Sequence, residues 1–170
     1  MQDSHPERKH GRILWESVNM GKKTNRKSTA PGIKRTVQEP RKSTAGEKVI
    51  WRFDKIDRAG KFAFDVHRAD FKHCEVMEKM IAYSNMTWQE IGQQTHDQGK
   101  SKHHFLSVES LSKEAVDRFE AMQLEEYSDA VFSFALQNKL RIIGLREEAH
   151  FHVLWYDPGH EVCPSRKKHT

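Results

Sequence analysis

Between residues 131 and 156 apolar side chains recur at alternate positions in three runs, 131–136 (Val-Phe-Ser-Phe-Ala-Leu), 140–145 (Leu-Arg-Ile-Ile-Gly-Leu) and 150–156 (His-Phe-His-Val-Leu-Trp-Tyr). Gln137-Asn138 and Arg146-Glu147-Glu148 separate them. Connections this short join antiparallel strands, because a parallel crossover consumes about a dozen residues or more. The pattern predicts a three-stranded antiparallel meander, ended by the turn Asp157-Pro158-Gly159.

A meander with one apolar face needs a second layer to cover it. Upstream, Cys74, Met77 and Ile81 recur at three and four residues, with Val76, Met80 and Tyr83 widening the stripe, and Asp70 stands where a cap is needed. Thr87-Trp88-Gln89-Glu90 has the capping-box pattern, so a short helix is expected from Trp88, limited by Gly92. Leu111, Ala115, Phe119 and Met122 mark the face of a third helix. Residues 49–53 and 62–66 read as a strand pair around the turn at 57–60. The expected fold is α+β: two to three helices on one face of an antiparallel sheet ending in the meander. Trp51, Trp88 and Trp155 each lie in an amphipathic pattern and are expected as core anchors.

Charge divides the 170 residues. Residues 1–48 carry 12 Lys/Arg against 5 Asp/Glu, leaving 17 against 19 for the rest. With few apolar residues, 1–48 is expected to be a disordered basic arm, 49–164 the folded domain and 165–170 a basic C-terminal tail. The string Arg26-Lys27-Ser28-Thr29-Ala30 recurs as Arg41-Lys42-Ser43-Thr44-Ala45. Its basic pairs could space two phosphate contacts, or the repeat could be compositional coincidence. Met20-Gly21-Lys22-Lys23 looks like a bacterial start, which makes 1–19 an upstream extension.

No apolar run approaches the roughly 20 residues that span a bilayer, and the N-terminus lacks a signal-peptide core. A cytoplasmic protein without a membrane partner is expected. Cys74 and Cys163 are not in metal-ligand spacing, and neither are His96, Asp97, His103 and His104, so no metal site is expected. Phosphate-binding, dinucleotide, nucleophile-elbow and HExxH motifs are all missing, and no cofactor is expected.

Residues 95–105 concentrate proton-transferring side chains, above all His103 and His104 beside Lys102. The same residues suit a polar surface loop. Period two places His150, His152 and Tyr156 on one face of the last strand, opposite Phe151, Val153 and Trp155, and sets Arg141 on the histidine face. That face is either a site floor or a solvated surface.

The order of strand, helix, helix and three antiparallel strands resembles the RelE/ParE-like superfold of bacterial toxins over residues 49–164, as topology. The ending Leu-Trp-Tyr-Asp-Pro-Gly-His-Glu-Val-Cys-Pro-Ser-Arg-Lys-Lys-His-Thr, with residues 139–144, is similar to that of a group of short bacterial proteins and implies no mechanism. The toxin resemblance implies a ribonuclease, working by acid–base chemistry on the ribose 2′-hydroxyl, whose partners are RNA or the ribosome and an antitoxin protein. Arg141, Arg146, His152, Tyr156, His160 and Lys168 have the types that resemblance calls for. Together with the loop histidines, the candidate catalytic residues are His103, His104, Arg141, His152 and Tyr156, and with the repeated basic pairs of the arm the candidate nucleic-acid contacts are Arg26, Lys27, Arg41, Lys42, Arg146 and Lys168. The segment 87–105 is long for that fold, and the domain's net charge of −2 departs from what RNA enzymes carry. The alternative function is a non-enzymatic adaptor, or an accessory protein of a mobile element, that binds a protein and holds nucleic acid through its arm.

Overall fold

The computed structural model describes residues 43–96 and 99–164. Arg26, Lys27, Arg41, Lys42, Asp97 and Lys168, with the expected arm up to residue 42 and the tail 165–170, lie outside the described residues.

The fold is α+β. Its strands are β1 (Ile50–Arg52), β2 (His104–Phe105), β3 (Val131–Ala135), β4 (Arg141–Glu147) and β5 (His150–Asp157), in one sheet ordered β1-β5-β4-β3-β2. The meander β3-β4-β5 is antiparallel as its alternation predicts. The sheet as a whole is mixed, because β1 pairs with β5 in parallel, Ile50 opposite His150. The connection between these two strands contains every helix among the described residues, so a parallel pairing is sterically open to it.

Residues 62–66 do not form the expected strand. β5 is eight residues long and β1 covers only its first three. A loop lies along the remainder, where the Asp57 N–H donates to the Leu154 carbonyl, the Tyr156 N–H to that of Phe62, and Ala63 bridges Trp155.

Three α-helices are present among the described residues: α1 (His73–Ser84), α2 (Trp88–Gln93) and α3 (Lys113–Ala121). The capping box of α2 forms as expected, Thr87 accepting from the Glu90 N–H and Glu90 accepting from the Thr87 N–H. Asp70 does not cap α1. Its carboxylate pairs with Arg68 instead, 2.9 Å away, and Lys72 occupies the cap position without a side-chain bond. The expected stripe of Cys74, Met77 and Ile81 stays exposed, while Val76, Met80 and Tyr83 are buried. Two stripes of the same period interleave on this helix, and the one bearing Tyr83 docks because that ring stacks on Phe134 and its hydroxyl donates to the Ala135 carbonyl.

The helices cover both faces of the sheet, not one. On the first face α1 and α2 pack on Phe132, Phe134, Ile142, Phe151 and Val153. On the second, Leu106, Ala115 and Phe119 pack on Val131, Ile143, Leu145, Leu154 and Trp155. Both faces of β3 and β4 are therefore apolar, which is why these runs contain so few polar residues. No helix among the described residues is long and apolar enough to cross a membrane.

Candidate functional site

Arg141 opens β4 on the second face and is only 6% exposed. Its Nη1 donates to the carbonyls of Asn138 and Leu140, and it makes no ion pair among the described residues. Burial lowers its pKa, opposed by the more distant charge of Asp157. Arg141 lines a cavity of about 580 Å³ together with His104, His160, Lys100, Lys102 and Cys163. Glu109 is the one carboxylate in that lining among the described residues.

His104 reaches the cavity because edge strand β2 pairs it with Ser133, on the second face. Partial burial lowers its pKa, and the charges of Arg141 and His96 lower it further. His160 is delivered by the turn after β5. There the Asp157 carboxylate, buried, accepts the N–H groups of Glu161 and Val162, each at 2.9 Å, and so closes a loop around His160. His160 has φ of +60°, a left-handed backbone costly for a residue with a Cβ. Burial lowers its pKa first and Arg141 next, while Asp157 raises it. Both imidazoles are thus biased toward the neutral form, in which one nitrogen accepts a proton.

The other expected site residues are elsewhere. His103 points to the first face, 3% exposed, between Tyr83 and Phe134. Its Nδ1 accepts the Ala135 N–H at 3.1 Å, and its Nε2 lies 3.1 Å from Gln94 Oε1, so both nitrogens are used in packing. Burial, with the charges of Lys102 and Arg141, pushes its pKa down to about 4. His103 is turned away from His104, and Asp97 lies outside the described residues.

Tyr156 is buried on the first face, its hydroxyl donating to the Asp70 carbonyl and accepting the Lys72 N–H. It does not share a face with His152. A β-bulge between Ile143 and Gly144 shifts the register, so that Leu154 and Trp155 both pack on the second face and Tyr156 passes to the first. His152 stays on the second face between Asp54 (2.8 Å from Nδ1) and Glu147 (3.2 Å from Nε2), in a separate cavity at the far end of β4. Arg146 lines that second cavity with it.

Of the expected residues, the structure brings Arg141, His104 and His160 together. Asp157 was foreseen only as a turn former. Its signal is the Asp-Pro-Gly string, since an aspartate that opens a turn commonly accepts backbone N–H groups further along. Comparison with protein-family models, with curated proteins and with solved structures finds no match for this chain.

Proposed function

We propose that the domain is a RelE/ParE-like module that cleaves RNA by acid–base chemistry, with Arg141 as the phosphate clamp and His104 and His160 as the proton-transferring pair. The observation that carries this reading is Arg141, a residue only 6% exposed that lines one cavity with two histidines and makes no ion pair among the described residues. A buried charge is costly unless compensated, and the cavity leaves room for a compensating anion to enter from solvent. A phosphodiester suits a guanidinium fork and takes the charge that the lysines at the rim attract. A strand and two helices ahead of a terminal meander, although β2 and α3 intervene, also support the toxin-like reading.

One neutral histidine takes the proton of the ribose 2′-hydroxyl as that oxygen attacks phosphorus. The P–O5′ bond breaks, and the protonated form of the other histidine gives its proton to the leaving oxygen. Arg141 offsets the charge that develops on the phosphoryl oxygens. The products are a 2′,3′-cyclic phosphate and a free 5′-hydroxyl. RNA or the ribosome, and an antitoxin protein, are the partners this function requires.

Full-length protein incubated with single-stranded RNA in EDTA should yield fragments ending in 2′,3′-cyclic phosphate, read by mass spectrometry. His104→Ala or His160→Ala should slow cleavage by roughly 10²-fold or more. Expression of the chain should arrest growth, and Arg141→Ala should relieve the arrest. Intact RNA and unaffected growth with the wild-type chain would overturn the reading.

A second reading, the adaptor, is favoured by a different observation. Phe53, Val66 and Met77 are exposed around an apolar groove of about 620 Å³ over α1, the kind of surface that a protein partner covers.

A further inference from the structure

We infer that Phe105 and Arg146 form a nucleobase subsite, selective for guanine, in the cavity at the far end of β4 from Arg141. This rests on the RNA-cleaving reading for its role in a reaction, though not for its binding chemistry. Phe105 is 50% exposed on an edge strand, and its ring meets Phe132 edge to face at 5.0 Å. Much of the ring therefore remains open as a stacking surface.

The Arg146 guanidinium lies 4.0 Å from the Trp88 ring centroid and 5.6 Å from that of Phe105. Trp88 is itself fixed, buried and donating its indole N–H to the Ala149 carbonyl at 3.1 Å. The stack orients the guanidinium plane while leaving its fork available. Among the described residues its one hydrogen bond runs from Nε to the Glu148 carbonyl at 3.4 Å, and it makes no ion pair although Glu147 and Glu148 follow it. Phe105 and Arg146 line the same cavity, of about 960 Å³.

A fork of this kind reads two acceptors side by side, as O6 and N7 of guanine present them. An open aromatic ring beside it holds a splayed base by stacking. The rest of the lining selects further. Glu126, Asp129, Glu147 and Glu148 disfavour a phosphate in this cavity, and their oxygens suit the N1–H and N2–H donors of guanine. Adenine and the pyrimidines lack that combination of acceptors and donors. The Arg141 cavity has the opposite lining, with three Lys/Arg side chains and one carboxylate among the described residues. His104 and Phe105 are consecutive and face opposite sides of β2, so one strand serves phosphate on one face and base on the other.

The test uses guanosine, adenosine, cytidine and uridine, none of which carries a phosphate, titrated into the full-length protein. Binding is read from the ring resonances of Phe105 and the side-chain N–H resonances of Arg146. Guanosine should give saturable shifts at both residues, with about tenfold tighter binding than the other three. Phe105→Ala should weaken guanosine about tenfold, and Arg146→Lys, which keeps the charge and loses the fork, should level guanosine with adenosine. Shifts that are absent, or equal for all four nucleosides, overturn the subsite. Guanosine selectivity alongside intact RNA in the cleavage assay supports the subsite and removes the nuclease reading. Cleavage of RNA without nucleoside selectivity removes the subsite alone.

Discussion

Replacing His103 by Phe should make the stability difference between variant and wild type shrink, or change sign, as pH falls. In the folded protein the imidazole is 3% exposed and its pKa is pushed down to about 4, chiefly by burial. In the unfolded chain it returns to about 6.5. Above pH 6.5 the ring is neutral in both states and contributes its full packing and hydrogen bonds. As pH falls below 6.5 the unfolded chain takes up a proton that the folded protein refuses, so stability is lost progressively down to the folded pKa. Integrated from neutral pH to pH 4, that proton costs the wild type about 3 kcal/mol. The Phe variant escapes this loss. At pH 7 it pays instead for the Ala135 N–H, buried and deprived of the Nδ1 acceptor, about 1–3 kcal/mol. Urea unfolding of both proteins at half-unit intervals from pH 7.5 to about pH 4 measures the difference. Carboxylates titrate in both proteins and cancel in the difference, which isolates the single histidine. The variant should be the less stable at pH 7 and the gap should close or invert near pH 4. Curves that stay parallel would mean that His103 is charged in the fold and that its position between Tyr83 and Phe134 is wrong.

Asp57→Ala should destabilise the domain by about 3 kcal/mol, because Trp155 Nε1–H is left buried without its acceptor and Arg118 without its partner. A loss below about 1 kcal/mol in urea unfolding at pH 7 would be too small for a buried group of this kind. Gly144→Ala should cost at least the 1–3 kcal/mol or so of core overpacking, since its Cβ would sit 2.6 Å from Phe151 Cζ and against the His152 carbonyl oxygen, which is backbone and cannot turn aside. A thermal unfolding midpoint unchanged from wild type would contradict the bulged pairing around it.

The meander and the α2 capping box were legible in the sequence because both are local: a period of two with short connectors, and four consecutive residues that satisfy one another. What escaped depended on contacts between distant segments. β2 is only two residues long, too short to announce a period, yet pairing it with β3 sends His103 into the core and His104 to the cavity. Residues 95–105 show no period that would tell one face from another, and the choice between adjacent histidines is made by residues 132–135. Asp57 read as a turn former. Its carboxylate accepts from the Ala59 N–H, Arg118 and Trp155, and although burial raises its pKa, the bonds from Arg118, Ala59 and Trp155 hold it below the ordinary carboxylate value. Nothing near residue 57 indicates partners 61 and 98 positions away.

The β-bulge shows how one inserted residue decides which chemistry a surface can hold. From Glu147 opposite His150 to Gly144 opposite Val153 the last two strands are in simple register; one displaced step follows, and beyond it Ile143 faces Trp155. Leu154 is the extra residue. Continued without it, the pairing that starts at Glu147 and His150 would set Arg141 opposite Tyr156. With it, Arg141 faces Asp157, on the second face with Ile143. That shift gives the buried guanidinium a carboxylate near enough to temper its charge, while the carboxylate's hydrogen bonds go to Glu161 and Val162. The same shift turns Trp155 toward Asp57 and Tyr156 toward Asp70 and Lys72, tying the loop before α1 to the end of β5. Gly144 is placed where this step occurs and where no Cβ fits. The alternation of residues 150–156 therefore predicts a strand correctly while assigning the faces of Trp155 and Tyr156 wrongly, and the misassigned step is the one that sets Asp157, and with it His160, beside Arg141.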